Sequence, residues 1–400
     1  MAKAFSNPFR PGAGHPPPYL AGRTAETDEF RALLRQDPVL TNLVLTGLRG
    51  VGKTVLLDQF RSLALPLGWA WVGTDLSEAA SVDEDRLALR LLTDVAVITA
   101  GLAVAKVDAT PIGFARARSS KTVTLDYATL EGIYRSVPGL VSDKLKAVLA
   151  IALRALAAQR GVGLVFAYDE AQNMADHATR DQYPLSLLLE VFQSLQKQGL
   201  RALLVLVGLP TLFPKLVETR TFAERMFRVV TLGRLSDAEC RDAIVKPVSA
   251  ANCPVDLDER SVEQIVDLSG GYPYFVQFIC RDVYDAFARG QTEIPVDAIL
   301  RKLDSDFFHG RWARATDRQR ELLRVIAFLD SADDEFTVQQ IAAASKKLLA
   351  KPFSASHISQ MLGALSDASL VYKNRHGRYS FAVPMMEQFI RRLEADERRG

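Results

Sequence analysis

The stretch Leu43-Val-Leu-Thr-Gly47-Leu-Arg-Gly-Val-Gly-Lys53-Thr54 constrains this chain more than any other. It reads as a buried strand that runs into the spacing G-x-x-x-x-G-K-T and out into an amphipathic run, Val55-Leu-Leu-Asp-Gln-Phe60. Backbone N–H groups converge on a phosphate only where the turn approaches closely and takes up conformations that side chains forbid. Gly47, Gly50 and Gly52 supply that freedom. A helix opening near Lys53 turns the positive end of its dipole toward the same anion. Lys53 is then placed to reach the β- and γ-phosphates, and the Thr54 hydroxyl to ligate Mg²⁺.

The chain on either side of this unit alternates buried strands with helices. Gly68-Trp-Ala-Trp-Val-Gly-Thr-Asp75 reads as a second strand and Gly163-Leu-Val-Phe-Ala-Tyr168 as a third. Ala202-Leu-Leu-Val-Leu-Val-Gly208 is a fourth, and Phe227 to Leu232 a fifth. Helical spacing of apolar residues marks helices near 26–35, 83–104, 142–159 and 184–198, the last opened by Pro184. Continuous apolar strands alternating with helices mean an α/β fold, a parallel sheet covered on both faces. Residues 106–140, with Thr110-Pro111, Gly113 and a basic run from Arg116 to Lys121, read as a short hairpin or an insertion. Residues 1–22 carry Pro8, Pro11, Pro16, Pro17 and Pro18, which exclude a long regular element. Phe5, Phe9, Tyr19 and Leu20 nevertheless give that segment enough apolar surface to pack.

From Ser236 the strands stop. Ser236-x-x-Glu239 and Asp258-x-x-Ser261 start two helices, and Gly270-Gly-Tyr-Pro273 separates the second from a third. Thr316-x-x-Gln319 and Thr337-x-x-Gln340 are capping boxes heading two more. A helix from Ser356 to about Leu365 and a hairpin from Leu370 to Phe381 complete the winged-helix order. The expected division is a Pro-rich segment at 1–25 lining a nucleotide site, a P-loop core at 26–233, a helical lid at 234–310 and a winged-helix domain at 311–400.

Four hundred residues suit two or three domains with a sizeable core. The net charge of +2 leaves any nucleic-acid affinity to a local patch. Cys240, Cys253 and Cys280 are widely spaced and form no C-x-x-C, which argues for a reducing compartment and against a zinc site or disulfide frame. The N-terminus has no apolar signal-peptide core, and no apolar run is long enough to cross a bilayer. A cytoplasmic protein with no membrane contact is the expectation.

Asp169 and Glu170 follow the third strand directly. A carboxylate at the tip of a buried strand holds Mg²⁺ through its water shell, the role expected of Asp169. Glu170, one residue on, suits a base that orients and deprotonates the attacking water. Hydrolysis also needs positive charge on the γ-phosphate beyond what Lys53 supplies. Arg220, Arg225 and Arg228 lie just after the fourth strand, and Arg225 is the candidate to reach a neighbouring subunit's nucleotide.

Together, G-L-R-G-V-G-K-T, L-V-F-A-Y-D-E, Leu20-Ala-Gly-Arg23, the helical block and the winged helix resemble AAA+ ATPases of the replication-initiator, origin-recognition-like branch. They are also similar to STAND-type signalling ATPases and to transposition-associated ATPases. The resemblance implies a Walker A loop in which Gly47, Gly50, Val51, Gly52, Lys53, Thr54 and Val55 hold the phosphates. It makes Asp169-Glu170 the Walker B pair, brings Tyr19, Leu20 and Arg23 to the adenine, and makes the helical block a lid over the nucleotide. Two departures stand out. The fourth strand ends in Gly208-Leu209-Pro210, where many AAA+ members place a polar sensor. The lid turn Gly270-Gly-Tyr-Pro273 lacks the arginine common in the initiator branch and looks like the STAND G-x-P turn, in which Pro273 contacts the nucleotide. A lid without its own arginine predicts slow hydrolysis by the monomer.

The third winged-helix helix, 354–369, carries no Lys or Arg, so sequence-specific major-groove readout is weak. The wing Lys373-Asn-Arg375-His-Gly-Arg378 gathers cations suited to phosphate or minor-groove contact, with Lys346, Lys347 and Lys351 on the same side. The chain thus reads as an ATP- and Mg²⁺-dependent conformational switch. One version acts on duplex DNA through Lys373, Arg375 and Arg378. The other is a signalling or defence scaffold whose winged helix meets its own lid, a second copy or a protein partner.

Overall fold

A computed structural model describes residues 5–12, 14–77, 81–106, 121–249, 253–375 and 377–398. The chain divides into two compact units. One contains Thr24–Thr46 and Leu56–Thr231; the other contains the N-terminal segment to Arg23, the loop Gly47–Val55 and the chain from Leu232 onward.

The α/β unit opens with α1 (Thr24–Leu34), β1 (Asn42–Gly47), α2 (Lys53–Ala64) and β2 (Trp69–Val72). Next come α3 (Glu84–Thr99), the short strands β3 (Ala103–Lys106) and β4 (Lys121–Thr124), α4 (Tyr127–Ser136) and α5 (Val141–Arg160). It closes with β5 (Gly163–Tyr168), α6 (Pro184–Lys197), β6 (Ala202–Gly208), α7 (Leu212–Thr219), α8 (Ala223–Met226) and β7 (Phe227–Leu232). All five strands read from the sequence form one sheet, in the order β2-β5-β6-β1-β7. The pairs β2–β5, β5–β6 and β6–β1 are parallel, with Leu43 opposite Val205 and Val165 opposite Leu203. β1, β5 and β6 are buried along their whole length. Strands buried on both faces cannot alternate polar and apolar residues, hence their unbroken hydrophobic runs. Leu87, Leu91 and Val95 of α3, Leu149 and Leu156 of α5 and Phe192 of α6 build the core against this sheet.

β3 and β4 are an antiparallel pair, Ala103 opposite Thr124, so the hairpin alternative holds for the described part of 106–140. Thr110-Pro111, Gly113 and Arg116 lie outside the described residues. α4 was not expected. Asp126 caps it, accepting from the Thr129 N–H at 2.9 Å, and Leu130 and Tyr134 bury one face.

The other unit is largely helical. α9 (Asp237–Val245), α10 (Glu259–Ser269), α11 (Pro273–Ala288) and α12 (Val296–Leu303) form the block after the sheet. α12 passes through a π-helical stretch, Asp304–His309, into the single turn α13 (Gly310–Trp312). α14 (Asp317–Ala327), α15 (Val338–Leu348), α16 (Ala355–Asp367), the hairpin of β8 (Val371–Arg375) and β9 (Arg378–Phe381), and α17 (Met386–Glu397) follow. Three helices and a hairpin match the expected order; α17 is an addition. The capping boxes at Ser236/Glu239, Thr316/Gln319 and Thr337/Gln340 are all formed, and Asp258 caps α10.

One hydrophobic core runs through this unit, from Phe9 and Ala21 through Phe275 and Phe308 to Phe389 of α17. The Phe308 and Phe389 rings stack at 4.9 Å, so the helical block and the C-terminal helices are packed as one body. The proline-rich N-terminal segment packs as its aromatic residues imply. Phe9 is 2% exposed, Phe5 stacks on Tyr284, and Asn7 donates to the Arg281 carbonyl and to Asp285.

Candidate functional site

The loop after β1 has the backbone its glycines imply. Gly50 (φ 79°) and Gly52 (φ 91°) lie in the left-handed region, and α2 begins at Lys53. A side chain at either position would strain the turn that aims successive N–H groups inward. The Lys53 ammonium bends back over the loop and donates to the Gly47 and Leu48 carbonyls, each at 2.9 Å. Val51 is buried; Thr54 is exposed on the first turn of α2, with Val55 beside it partly covered.

Several expected residues meet at this loop within the same unit. Arg23, 9% exposed, donates to the Val51 carbonyl at 3.1 Å and to the Gly233 carbonyl at 2.8 Å. It does so with its backbone at φ 68°, a conformation that costs a non-glycine residue about 1–2 kcal/mol. Pro273 is the first residue of α11, and the next N–H, that of Tyr274, donates to the Gly50 carbonyl at 3.1 Å. The lid turn is therefore bonded directly to the loop. Tyr19 packs with its hydroxyl 2.8 Å from the Lys246 ammonium, which lies 4.3 Å from its ring centre, and Leu20 beside it is partly buried.

In the α/β unit, β1 and β5 both run parallel to β6, so they end at the same edge of the sheet. Asp169 stands at that edge after β5, 5% exposed, and its Oδ1 accepts from the Glu170 N–H at 2.7 Å. Glu170 has φ 53°, again left-handed. Its carboxylate accepts from the Gln172 amide. The Gln172 Oε1 in turn takes the Leu209 N–H at 3.1 Å, and the Gln172 carbonyl takes the Lys215 ammonium at 2.8 Å. Asp75, from the loop after β2, completes the group: partial desolvation, then the Asp169 charge and the Glu170 charge, hold its carboxyl above the usual range.

Residues 19–217 match a family model described as "AAA ATPase domain". This stretch is an AAA ATPase domain. Residues 305–390 match a second model, described as "Domain of unknown function (DUF8462)". Among solved structures, the chain is similar to the Aeropyrum pernix ORC2 protein in its ADPNP–ADP complexes: TM-score 0.55, 15% identity, 98% of each chain covered. The ADP form of that protein gives TM-score 0.55, 15% identity and 96% of each chain. At such identity the likeness is one of fold, and it spans nearly the whole chain. No curated protein matches the sequence.

Within the AAA ATPase domain, Gln172 and Asp75 are the residues that sequence reading missed. Gln172 lies two positions past the acidic pair, and its amide oxygen sits on the Leu209 N–H, at the strand end that lacks a polar side chain of its own. A Cβ on Gly208 would come 2.5 Å from that oxygen, so a side chain there would push the Gln172 amide off the Leu209 N–H. Magnesium binds through one or two carboxylates plus phosphate oxygens and keeps several waters. The donors suit that mode. Desolvation first, and then the negative charges of Asp169 and Glu170, raise Asp75; a divalent cation relieves the charge part, and among the described residues no group of three or more His, Cys, Asp or Glu forms a protein-only cage.

Beyond the domain, Arg225 is exposed on α8. Arg220 is exposed too, while Arg228 is tied to Glu29 at 2.7 Å. On the wing, Lys373 and Arg378 are exposed; His376 and the side chain of Arg375 lie outside the described residues. Among the described residues no helix is long and apolar enough to cross a membrane.

Proposed function

We propose that this chain binds ATP with Mg²⁺ and hydrolyses it, using the cycle as a conformational switch. The observation that carries the reading is the loop after β1: two left-handed glycines, a helix starting at its lysine, and an ammonium parked on the loop's own carbonyls. A phosphate is a stronger acceptor than a carbonyl, so Lys53 has a better partner to exchange to. Lys53 and the loop N–H groups from Gly50 to Val55 bind the phosphates. Thr54 and Asp169 are the residues to hold Mg²⁺, whose contribution when bound is to neutralise phosphate charge. Glu170 accepts the proton of the attacking water, and the Gln172 amide sets its orientation. Tyr19, Leu20, Arg23 and Pro273 serve the nucleotide from the N-terminal segment and the lid turn. Arg225 acts on the nucleotide of a second copy, which makes turnover slow in the monomer.

In the first version of the switch the winged helix contacts duplex DNA through Lys373, Arg375 and Arg378. The fold is similar to that of the Aeropyrum pernix ORC2 protein, which agrees with the resemblance to the replication-initiator branch. A second version is favoured by the continuous core from Phe275 to Phe389, which fits a winged helix that braces its own lid and meets a protein partner. Turnover measured across protein concentrations, with and without duplex DNA, separates them. Stimulation by DNA supports the first version. Stimulation by a protein partner alone supports the second, and fast, concentration-independent turnover removes Arg225 from its role.

A further inference from the structure

The α/β unit holds a polar cavity of about 630 Å³ where the start of α6, residues 174–176 and α7 meet. That volume falls within the roughly 300–1,000 Å³ of small-molecule sites. Lys215 of α7 is half-buried in its wall and donates to the Gln172 carbonyl at 2.8 Å. Its other N–H bonds have no partner among the described residues. Neither do the Arg220 guanidinium and the Tyr183 hydroxyl, which line the same space.

Asp176 and Glu218 line the cavity as well, but neither is bonded to the ammonium. Asp176 is committed to the start of α6: its Oδ1 takes the Leu185 N–H at 2.9 Å and the Ser186 N–H at 3.1 Å, and its Oδ2 takes the Ser186 hydroxyl. Glu218 is exposed to water on α7. Lys215 thus keeps its charge partly out of water with a neutral carbonyl as acceptor, and burial pulls its pKa below the ordinary lysine value despite the Asp176 charge. A carboxylate or phosphate is a stronger acceptor for an ammonium than a carbonyl is, and it offsets the cost of the desolvated charge. The fixed fork of the Arg220 guanidinium suits the same oxygens.

We infer that this cavity binds a small anion, a carboxylate or a phosphate, between Lys215 and Arg220, and that the anion controls ATP turnover. The route to the chemistry is short. Lys215 holds the Gln172 carbonyl, and the Gln172 amide holds the Glu170 carboxylate. An anion that draws the ammonium away frees the Gln172 backbone and loosens the base. Bound anion therefore slows the chemical step and leaves ATP affinity alone. The binding stands by itself; the effect on turnover rests on the ATP reading above.

The test begins with calorimetry on the full chain, using inorganic phosphate and succinate as probes. It is run on Lys53→Ala, which weakens the phosphate loop as a competing anion site, and then with Lys215→Met or Arg220→Met added. At least one probe should bind, and each Met substitution should weaken it by about tenfold, the worth of one charge-assisted hydrogen bond. Arg220 is exposed and has no side-chain partner to lose among the described residues, so its variant stays informative if Lys215→Met folds poorly. No binding of either probe, or binding that both Met variants leave unchanged, overturns the site. In the wild-type chain with Mg²⁺ and ATP, the bound probe should lower kcat by about two- to tenfold, short of the ~100-fold of a lost base. KM for ATP should stay unchanged, whereas a probe competing at the phosphate loop raises it. A bound probe without effect on kcat overturns the control of Glu170. A wild type that hydrolyses no ATP overturns the ATP reading, and calorimetry still decides the site.

Discussion

The Gln172 amide holds the Glu170 carboxylate and the Leu209 N–H at once, and Lys215 pins its backbone. A base held by an amide that two further partners fix in place is pre-oriented, and removing that amide should slow the chemical step without touching substrate binding. Glu170→Gln should lower kcat by about 100-fold or more, the usual worth of a general base. Gln172→Ala should lower kcat by a smaller factor with KM nearly unchanged. Steady-state kinetics checks both, and a KM effect without a kcat effect would make Gln172 a binding residue. Asp75 gives a pH signature. Its pKa is raised above 3.8 in the folded protein, so in the window just above that value the folded state holds the extra proton. Stability attributable to this group therefore falls as pH rises through the window, and the cost is fully present at neutral pH. Asp75→Asn should melt above wild type at pH 7, and the gap should close as pH drops toward 3.8; melting curves from pH 4 to 7 read it directly.

At the scale of elements, Asn42 joins four pieces of the α/β unit. Fully buried, it takes the Leu204 N–H at 2.8 Å and the Gln196 amide at 2.7 Å, and donates to the Met226 carbonyl at 3.3 Å. Asn42→Ala leaves those groups unpaired in the interior. It should cost about 2–4 kcal/mol in denaturant unfolding, and a cost below about 0.5 kcal/mol would mean water replaces the side chain. Elements were legible in the sequence where the signal was local. The strands were continuous apolar runs, and the capping boxes at Ser236, Thr316 and Thr337 placed helix starts to the residue. α4 was missed although Asp126 and Thr129 carry a cap signal, because the Thr-, Pro- and Arg-rich stretch before it reads as loop. Asn42 was opaque for another reason: its partners are brought together only by folding. The same holds for the site. Lys53, Arg23, Asp169 and Glu170 sit in short motifs, whereas Gln172–Leu209 is a pairing that only the tertiary structure makes.

At the scale of the molecule, the helical block and the C-terminal helices share one core, and packed rings run from Phe275 of α11 through Phe307 and Phe308 to Phe389 of α17, the route by which a movement of the lid turn would reach the C-terminal helices. If the wing meets DNA, it does so by phosphate contact, with a steep salt dependence. Lys373→Ala and Arg378→Ala should each reduce the slope of log affinity against log salt by about 1, without altering sequence preference. Salt titrations on two unrelated duplexes check this, and wild-type slopes near zero would leave the wing to a protein partner. Every larger claim nevertheless depends on the loop after β1. The most direct test is ATP binding and turnover with Mg²⁺ by the full chain, wild type beside Lys53→Ala. Wild type should bind and slowly hydrolyse ATP while the variant loses both; a wild type without affinity for ATP, or a variant as active as wild type, would contradict the account.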